Sequence, residues 1–349
     1  WWFWDNKDIE EATDLQWFDL DGLDVVPRAS GRLPGIVQDS FGIDVHDGTL
    51  RVAATTGTWG RWWLSEAERE PMMTHLVLLE PDGNILVPTG MVGGIAPGER
   101  LWSARFTDTR AYLITFEQID PLWILDLTDT SAPKILGELE IPGVSTYIHP
   151  LSDELLLTIG MGPREDGTGL DRSRLQVSLF DIRDEAKPVR ADVLELSPAD
   201  GWSQSAALHE HKAFTYWDRL GMLAVPMATQ RYDPPSEEHG AENNSTPRKM
   251  ILFHNDAYLR LVKVDPETKR LHLHGDLRQS GLVQEREVRY GSSTIERSYF
   301  LGLPEAGTVS VYTMSVLGVT AHDLDTLEEQ DHVRFGPPQF ERYPHFRIR

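Results

Sequence analysis

Short apolar runs separated by turn formers dominate this chain, and the pattern is clearest between Glu99 and Pro150. Four runs follow one another there, over residues 101–106, 111–116, 122–127 and 134–141. Each is rich in aliphatic, aromatic and β-branched residues, and the gaps 107–110, 117–121 and 128–133 carry Thr, Asp, Ser and Pro, so the pattern predicts strands joined by turns. Pro133 and Pro142 exclude a helix across the second half. One such four-stranded unit cannot bury both of its faces alone, which makes recurrence the decisive question.

The third-to-fourth strand hairpin recurs six times: an apolar strand ends near an acidic residue, turns, and returns. The copies begin at residues 15–20, 76–80, 122–127, 175–182, 259–264 and 319–324. Aligning Asp19, Glu80, Asp126, Asp181, Lys263 and Asp323 gives spacings of 61, 46, 55, 82 and 60 residues. The shortest falls in the range of a propeller blade, about 40–50 residues for four strands. Another strand pair precedes most hairpins: 41–46 with 49–55, 101–106 with 111–116, 145–149 with 155–159, 212–217 with 222–227, and 297–302 with 309–314. With the strands called a to d, the extra residues 56–75, 160–174 and 228–250 all fall between b and c, on one face of an up-and-down sheet.

The expected fold is therefore all-β, a β-propeller of four-stranded antiparallel blades, about six or seven if complete. Residues 1–14 are an N-terminal remnant and 15–335 a single propeller domain. Its divisions are a partial first blade 15–38, then 39–98, 99–143, 144–201, 202–281 and 282–335. The inner half of the first blade is expected either upstream of Trp1 or from the tail 336–349, whose residues 340–349 would close the ring by adding a strand.

Composition narrows the function classes. Lys and Arg total 33 against 55 Asp and Glu, a net charge of -22, and a field of that sign repels phosphate backbones and anionic membranes. Nucleic acid is not an expected partner. There are no cysteines, hence no disulfide framework, thiolate nucleophile or Cys-based zinc site. No apolar run approaches the roughly 18 residues of a membrane span, so no transmembrane segment is expected. The chain starts at Trp1-Trp2-Phe3-Trp4 without an initiator Met, and is expected to be a piece of something longer.

Ordered matches spread over residues 31–331 give the chain a family likeness. They include Gly42-Ile43-Asp44 with Gly48-Thr49-Leu50-Arg51-Val52-Ala53, Gly98-Glu99-Arg100-Leu101-Trp102-Ser103-Ala104-Arg105-Phe106, and Asp120-Pro121-Leu122 running into Asp126-Leu127-Thr128-Asp129. Gly143-Val144-Ser145-Thr146-Tyr147-Ile148-His149-Pro150, Leu179-Phe180-Asp181-Ile182 and Asp323-Leu324-Asp325-Thr326-Leu327 continue the series. On these the chain resembles the prokaryotic secreted proteins with a C-terminal β-propeller distantly related to WD40 repeats. The resemblance implies the fold and export to the cell surface, periplasm or extracellular space, and brings no catalytic residues with it.

Two kinds of site suit this fold. Strand a lines the channel of a propeller, and its polar residues here are Asp44, His46, Arg105, His149, His211 with Lys212, and Glu296 with Arg297. Converging carboxylates and imidazoles, Asp44, His46, His149, His209 and His211 among them, could hold a divalent cation in the channel; calcium prefers the oxygens, transition metals the imidazoles. Hydrogen bonding between blades is the alternative for the same groups. On a strand His209 and His211 would share a face with Glu210 opposite, which starts a metal site and does not finish one. The second site is the aromatic loop with Trp59, Arg61, Trp62 and Trp63, suited to a protein or glycan partner, or else to packing over a blade. No Gly-x-Ser-x-Gly elbow, phosphate loop or His-Glu-x-x-His motif is present. The expected function is a non-enzymatic binding or surface-interaction propeller. The alternatives are a metal-dependent hydrolase or lyase with a channel-bound ion, and a purely structural scaffold.

Overall fold

A computed structural model of the protein describes residues 11–58, 71–116, 120–166, 169–198, 201–233, 252–282 and 294–335. Their strands form five sheets. The first contains β1 (Ala12–Asp21), β2 (Asp24–Pro34), β3 (Ile43–His46), β4 (Thr49–Thr56), β5 (Met73–Asp82) and β6 (Ile85–Ile95), in the order β1-β2-β6-β5-β4-β3. The second is the meander β7 (Arg100–Phe106), β8 (Arg110–Phe116), β9 (Asp120–Asp126) and β10 (Lys134–Ile141). The third is β11 (Val144–Ser152), β12 (Leu155–Pro163), β13 (Leu170–Asp181) and β14 (Val189–Glu195). The fourth holds β15 (Gly201–Gln204), β16 (Thr215–Trp217), β17 (Met222–Asp233), β18 (Leu252–Asp265) and β19 (Arg270–Leu277). The fifth is β20 (Ile295–Leu303), β21 (Thr308–Ser315), β22 (Gly318–Asp323) and β23 (Glu329–Arg334). The chain divides into two compact units, one of Trp1–Arg172 with Ser178–Ala191, the other of Ser173–Val177 with Asp192–Arg349.

The two-residue period of a strand decides where the core lies. In β8, Ala111 and Leu113 pack with Ala53, Leu76, Leu78, Leu101 and Leu125 of the first and second sheets. Tyr112 and Ile114, on the opposite face, pack with Leu122, Ile124, Ile148, Leu156 and Phe180 of the second and third. A strand covered on both sides has no polar face to show, and Ala111–Ile114 of β8 read as an unbroken apolar run for that reason. The other unit repeats the arrangement: Met222, Ala224, Leu259 and Leu261 of the fourth sheet pack with Val309, Val311 and Leu324 of the fifth. Each Leu, Ile, Val, Met or Phe among them contributes about 1.5–3 kcal/mol when fully buried.

Three glycines seat one sheet against the turn of the next. Gly90, Gly137 and Gly275 lie beside bulges in the fourth strands of their sheets, opposite Leu78, Ile124 and Leu261. A Cβ would lie 2.0 Å from the Thr130 carbonyl oxygen at Gly90, 2.0 Å from that of Glu185 at Gly137, and 2.2 Å from the Leu327 side chain at Gly275. Thr130, Glu185 and Leu327 all belong to turns between the third and fourth strands of the following sheet. At Gly90 and Gly137, where the neighbour is backbone, only a residue without a side chain admits that approach.

In the second, third and fifth sheets the acid ending the third strand holds the turn that makes this contact, whereas in the first sheet β1 and β5 run two residues past Asp19 and Glu80. Asp126 Oδ1 accepts from the Thr128 N–H at 3.0 Å and its hydroxyl at 2.6 Å. Asp181 accepts from the Arg183 N–H at 3.2 Å, and Asp323 from Asp325 and Thr326 at 3.0 and 2.8 Å. In the fourth sheet Lys263 does not fill this place. β18 runs two residues further, and Asp265 accepts from the Glu267 and Thr268 N–H groups at 3.0 and 3.1 Å. These are Asx turns, in which a short carboxylate satisfies backbone donors that the strand has left behind.

Several sequence expectations are corrected. Much of what reads as b-to-c insertion continues the ladder: β17 and β18 pair from Met222–Lys263 out to Asp233–Leu252, and β12 reaches Pro163 before β13 starts at Leu170. Continued pairing satisfies backbone groups that a loop would have to leave to water. The first strand of the fourth sheet is split. β15 and β16 both pair with β17, and single 3-10 turns at Ala206–Leu208 and His211–Ala213 lie between them. Ser205 Oγ accepts from the Ala207 N–H, and the Glu210 carboxylate from that of Lys212, side-chain bonds that offer the backbone an alternative to the ladder. The hairpin β1–β2 joins the first sheet through a parallel bridge of Ser30 and Ile85. The tail 336–349, expected as one of two ways to close the ring, lies outside the described residues, as do the aromatic-loop residues 59–70.

Two outcomes are expected. Replacing Gly137 by Val forces the Glu185 turn away and lowers stability by about 1–3 kcal/mol in chemical denaturation; an unchanged midpoint would show that the turn does not press on this site. Bonds from Thr128, followed by the Arg110 charge, hold the Asp126 carboxyl below its ordinary range. A depressed folded-state value stabilises the protein above the unfolded carboxyl value, near 4, and the contribution is lost as pH falls through the folded value. Asp126→Asn is therefore expected to cost about 1 kcal/mol at neutral pH, and urea melts at decreasing pH should show the gap to wild type closing in acid.

Candidate functional site

The first strands of the first three sheets bring three kinds of side chain together. Phe41 precedes β3 in a single 3-10 turn, Ser40–Gly42, fixed by an Asp39 carboxylate that accepts from its N–H at 2.8 Å. Arg105 stands in β7, and Tyr147 and His149 lie two residues apart on one face of β11. The Arg105 guanidinium carbon lies 4.6 Å from the centre of the Phe41 ring and 5.9 Å from that of Tyr147. The two rings are 5.4 Å apart and tilted by 55°, so the three groups close a triangle. Next to it, His149 Nδ1 lies 3.4 Å from the Tyr147 hydroxyl, with ring centres 6.2 Å apart. All four side chains are half-buried.

The electrostatics of this cluster differ from those of Arg51, Arg110, Arg260 and Arg278; half-buried Arg190 likewise lacks a carboxylate among the described residues and donates to the Pro142 carbonyl at 3.4 Å. Arg51 is buried; it pairs with Asp44, donates to the Thr107 and Asp108 carbonyls at 2.8 and 3.0 Å, and lies over Phe106. Arg110 binds Asp126 and Glu185, Arg260 binds Asp276, and Arg278 binds Asp256. Arg105 makes its cation–π contacts and no hydrogen bond or ion pair to any described residue. Such contacts are worth about 0.5–2 kcal/mol and use the face of the guanidinium, while its five N–H donors lie in the plane. Burial pushes the Tyr147 phenol up, and the Arg105 charge opposes that shift.

The residues proposed for a cation are placed differently from one another. Asp44 is committed to Arg51. His46 Nε2 is 3.4 Å from Asp47, and His149 belongs with Tyr147. Those three are in one unit; His209 and His211 are in the other, exposed, in and beside the 3-10 turns. The shared strand face expected for the two histidines is therefore not formed. His211 Nδ1 lies 3.7 Å from Glu210, which in turn lies 3.4 Å from Arg297. Among the described residues no group of three or more His, Asp or Glu is arranged to hold a metal ion. Trp59, Arg61, Trp62 and Trp63 lie outside the described residues.

A polar cleft of about 470 Å³ lies on another part of the same unit, lined by Thr107, Asp108, Arg110, Tyr112, Asp153 and Glu185. Burial raises its Tyr112 phenol to about 12, and its cation is already bound by Glu185 and Asp126. Arg105 and His149 are legible from sequence as polar residues on first strands. Phe41 and Tyr147 are not, because an aromatic residue beside a strand reads the same whether it faces the core or a cation.

The chain matches the family model described as "Beta propeller domain" over residues 1–327. An uncharacterised protein of Methanocaldococcus jannaschii is 33% identical over 222 residues, 64% of this chain and 32% of that one. One of Archaeoglobus fulgidus is 29% identical over 231 residues, 66% of this chain and 33% of that one. The matched stretch thus spans about a third of the length of these curated relatives. Among solved structures, the WD40 domain of Toxoplasma gondii coronin is 12% identical with a TM-score of 0.34, covering 88% of this chain and 74% of that one. The β-propeller domain of Myceliophteria thermophila Cps50 is 10% identical with a TM-score of 0.35, covering 84% and 86%.

The cluster has a spectroscopic consequence. Removing the Arg105 charge leaves the desolvation of Tyr147 unopposed, so Arg105→Gln should move the Tyr147 titration to higher pH. Ring-labelled tyrosine NMR reads this directly; a downward shift or none would mean that the two groups are not coupled.

Proposed function

The chain belongs to the β-propeller domain family, and from that premise we propose that it is a non-enzymatic binding module whose ligand meets the Phe41, Arg105, Tyr147 and His149 cluster. One observation carries the reading: Arg105 is a half-buried cation with no hydrogen-bonding partner among the described residues. Carboxylates are abundant in a chain with 55 acids and 33 bases, and the partly buried Arg110, Arg174 and Arg260 each take one. A donor set held by aromatic rings on neighbouring strands is preorganised, which lowers the ordering cost of binding. Export to the cell surface or periplasm belongs to the same reading. The absence of cysteine, which leaves no thiol to oxidise there, supports it.

Thermal unfolding in the presence of a panel of anionic, neutral and cationic small molecules tests the binding role, because a ligand of the folded state raises the midpoint by mass action. At least one compound should stabilise wild type, lose its effect in Arg105→Gln, and keep it in Arg172→Gln, a change at an exposed arginine. The reading fails if no compound acts through Arg105.

A further inference from the structure

Resting on that reading, we infer that the cluster recognises the carboxylate of a singly charged ligand with an apolar body. The donors set the shape of the group. Phe41 and Tyr147 engage the face of the Arg105 guanidinium, and its in-plane N–H fork, unused by any described residue, matches the two oxygens of a planar carboxylate. Phe41 and Tyr147, both half-buried, set two aromatic rings against the same guanidinium, apolar neighbours for the remainder of the ligand.

The charges set its valence. Arg105 supplies one positive charge. The Tyr147 hydroxyl, 3.4 Å from His149 Nδ1, adds a neutral polar group, as any phenol does at neutral pH. With His149 as the neutral imidazole, a monoanion is balanced by this set, whereas a dianion is not. The net charge of -22 acts in the same direction, since the repulsion a ligand meets grows in proportion to its own charge. A phosphate monoester, at a charge of about −1.5 to −2, faces up to about twice the penalty for the same single cation, and a polyphosphate more. Small organic acids and the C-terminus of a peptide carry the same recognised group, and the experiment separates them.

Isothermal titration of the full chain at fixed ionic strength, with 3-phenylpropionate, 3-phenylpropionamide, phenyl phosphate, and the tripeptide Gly-Gly-Phe with a free or amidated C-terminus, tests the inference. A free carboxylate should bind at least about tenfold tighter than its amide, the contribution of a charge-assisted bidentate contact. Binding of 3-phenylpropionate alone assigns a small acid; binding of the free tripeptide alone assigns a chain terminus. Arg105→Lys keeps the charge, loses the fork, and should weaken binding several-fold, while Tyr147→Phe, which preserves the ring, should weaken it less. If phenyl phosphate or the amide binds as tightly as the acid in an Arg105-dependent way, the carboxylate assignment falls and the binding reading stands. If nothing depends on Arg105, both fall.

Discussion

Burial of both faces of the middle strands is the constraint on which the rest of this protein depends. Ala111 and Leu113 point to one neighbouring sheet and Tyr112 and Ile114 to the other, so β8 cannot be removed from either core without opening the second. Sheets that must be covered twice have to be repeated, and repetition with a four-strand meander is the architecture of the β-propeller family to which the chain belongs.

Sheet-to-sheet fit depends on small contacts at the strand ends. An acid at the close of the third strand draws the turn tight, and the turn then rests on a glycine of the preceding sheet, as the Glu185 backbone does on Gly137. Backbone against backbone leaves no flexible side chain to absorb an error. The precision of the neighbouring first strands follows from it, and with it the placing of Phe41, Arg105 and Tyr147 within one triangle although they are 64 and 42 residues apart in the chain.

That triangle also departs from the way Arg51 is satisfied. Arg51 shows the usual solution for a buried guanidinium: a carboxylate, two carbonyls and a ring use nearly every donor and the face. Arg105 has the rings without the carboxylate. A rigid cation left with spare donors in an acidic protein is poised for an anion from outside, and the aromatic partners hold it in place before that anion arrives.

The amino-acid sequence by itself determined the strand meander, the repeat and the acid at the turn, because these depend on local alternation and on short-range hydrogen bonds such as that of Asp126 to Thr128. It also marked Arg105 and His149 as polar residues on first strands. It misaligned the fourth sheet at Lys263, where the strand continues to Asp265, and read His209 and His211 as strand, where side-chain caps from Ser205 and Glu210 fold the backbone into turns. Gly90, Gly137 and Gly275 follow their acids by ten or eleven residues, yet their role needs the bulge register and the neighbour's turn to be seen. The tertiary structure alone decided that Phe41 and Tyr147 flank Arg105 and that Asp44 goes to Arg51. The alternation of side chains says which face a residue takes, and only packing between sheets says what it meets there.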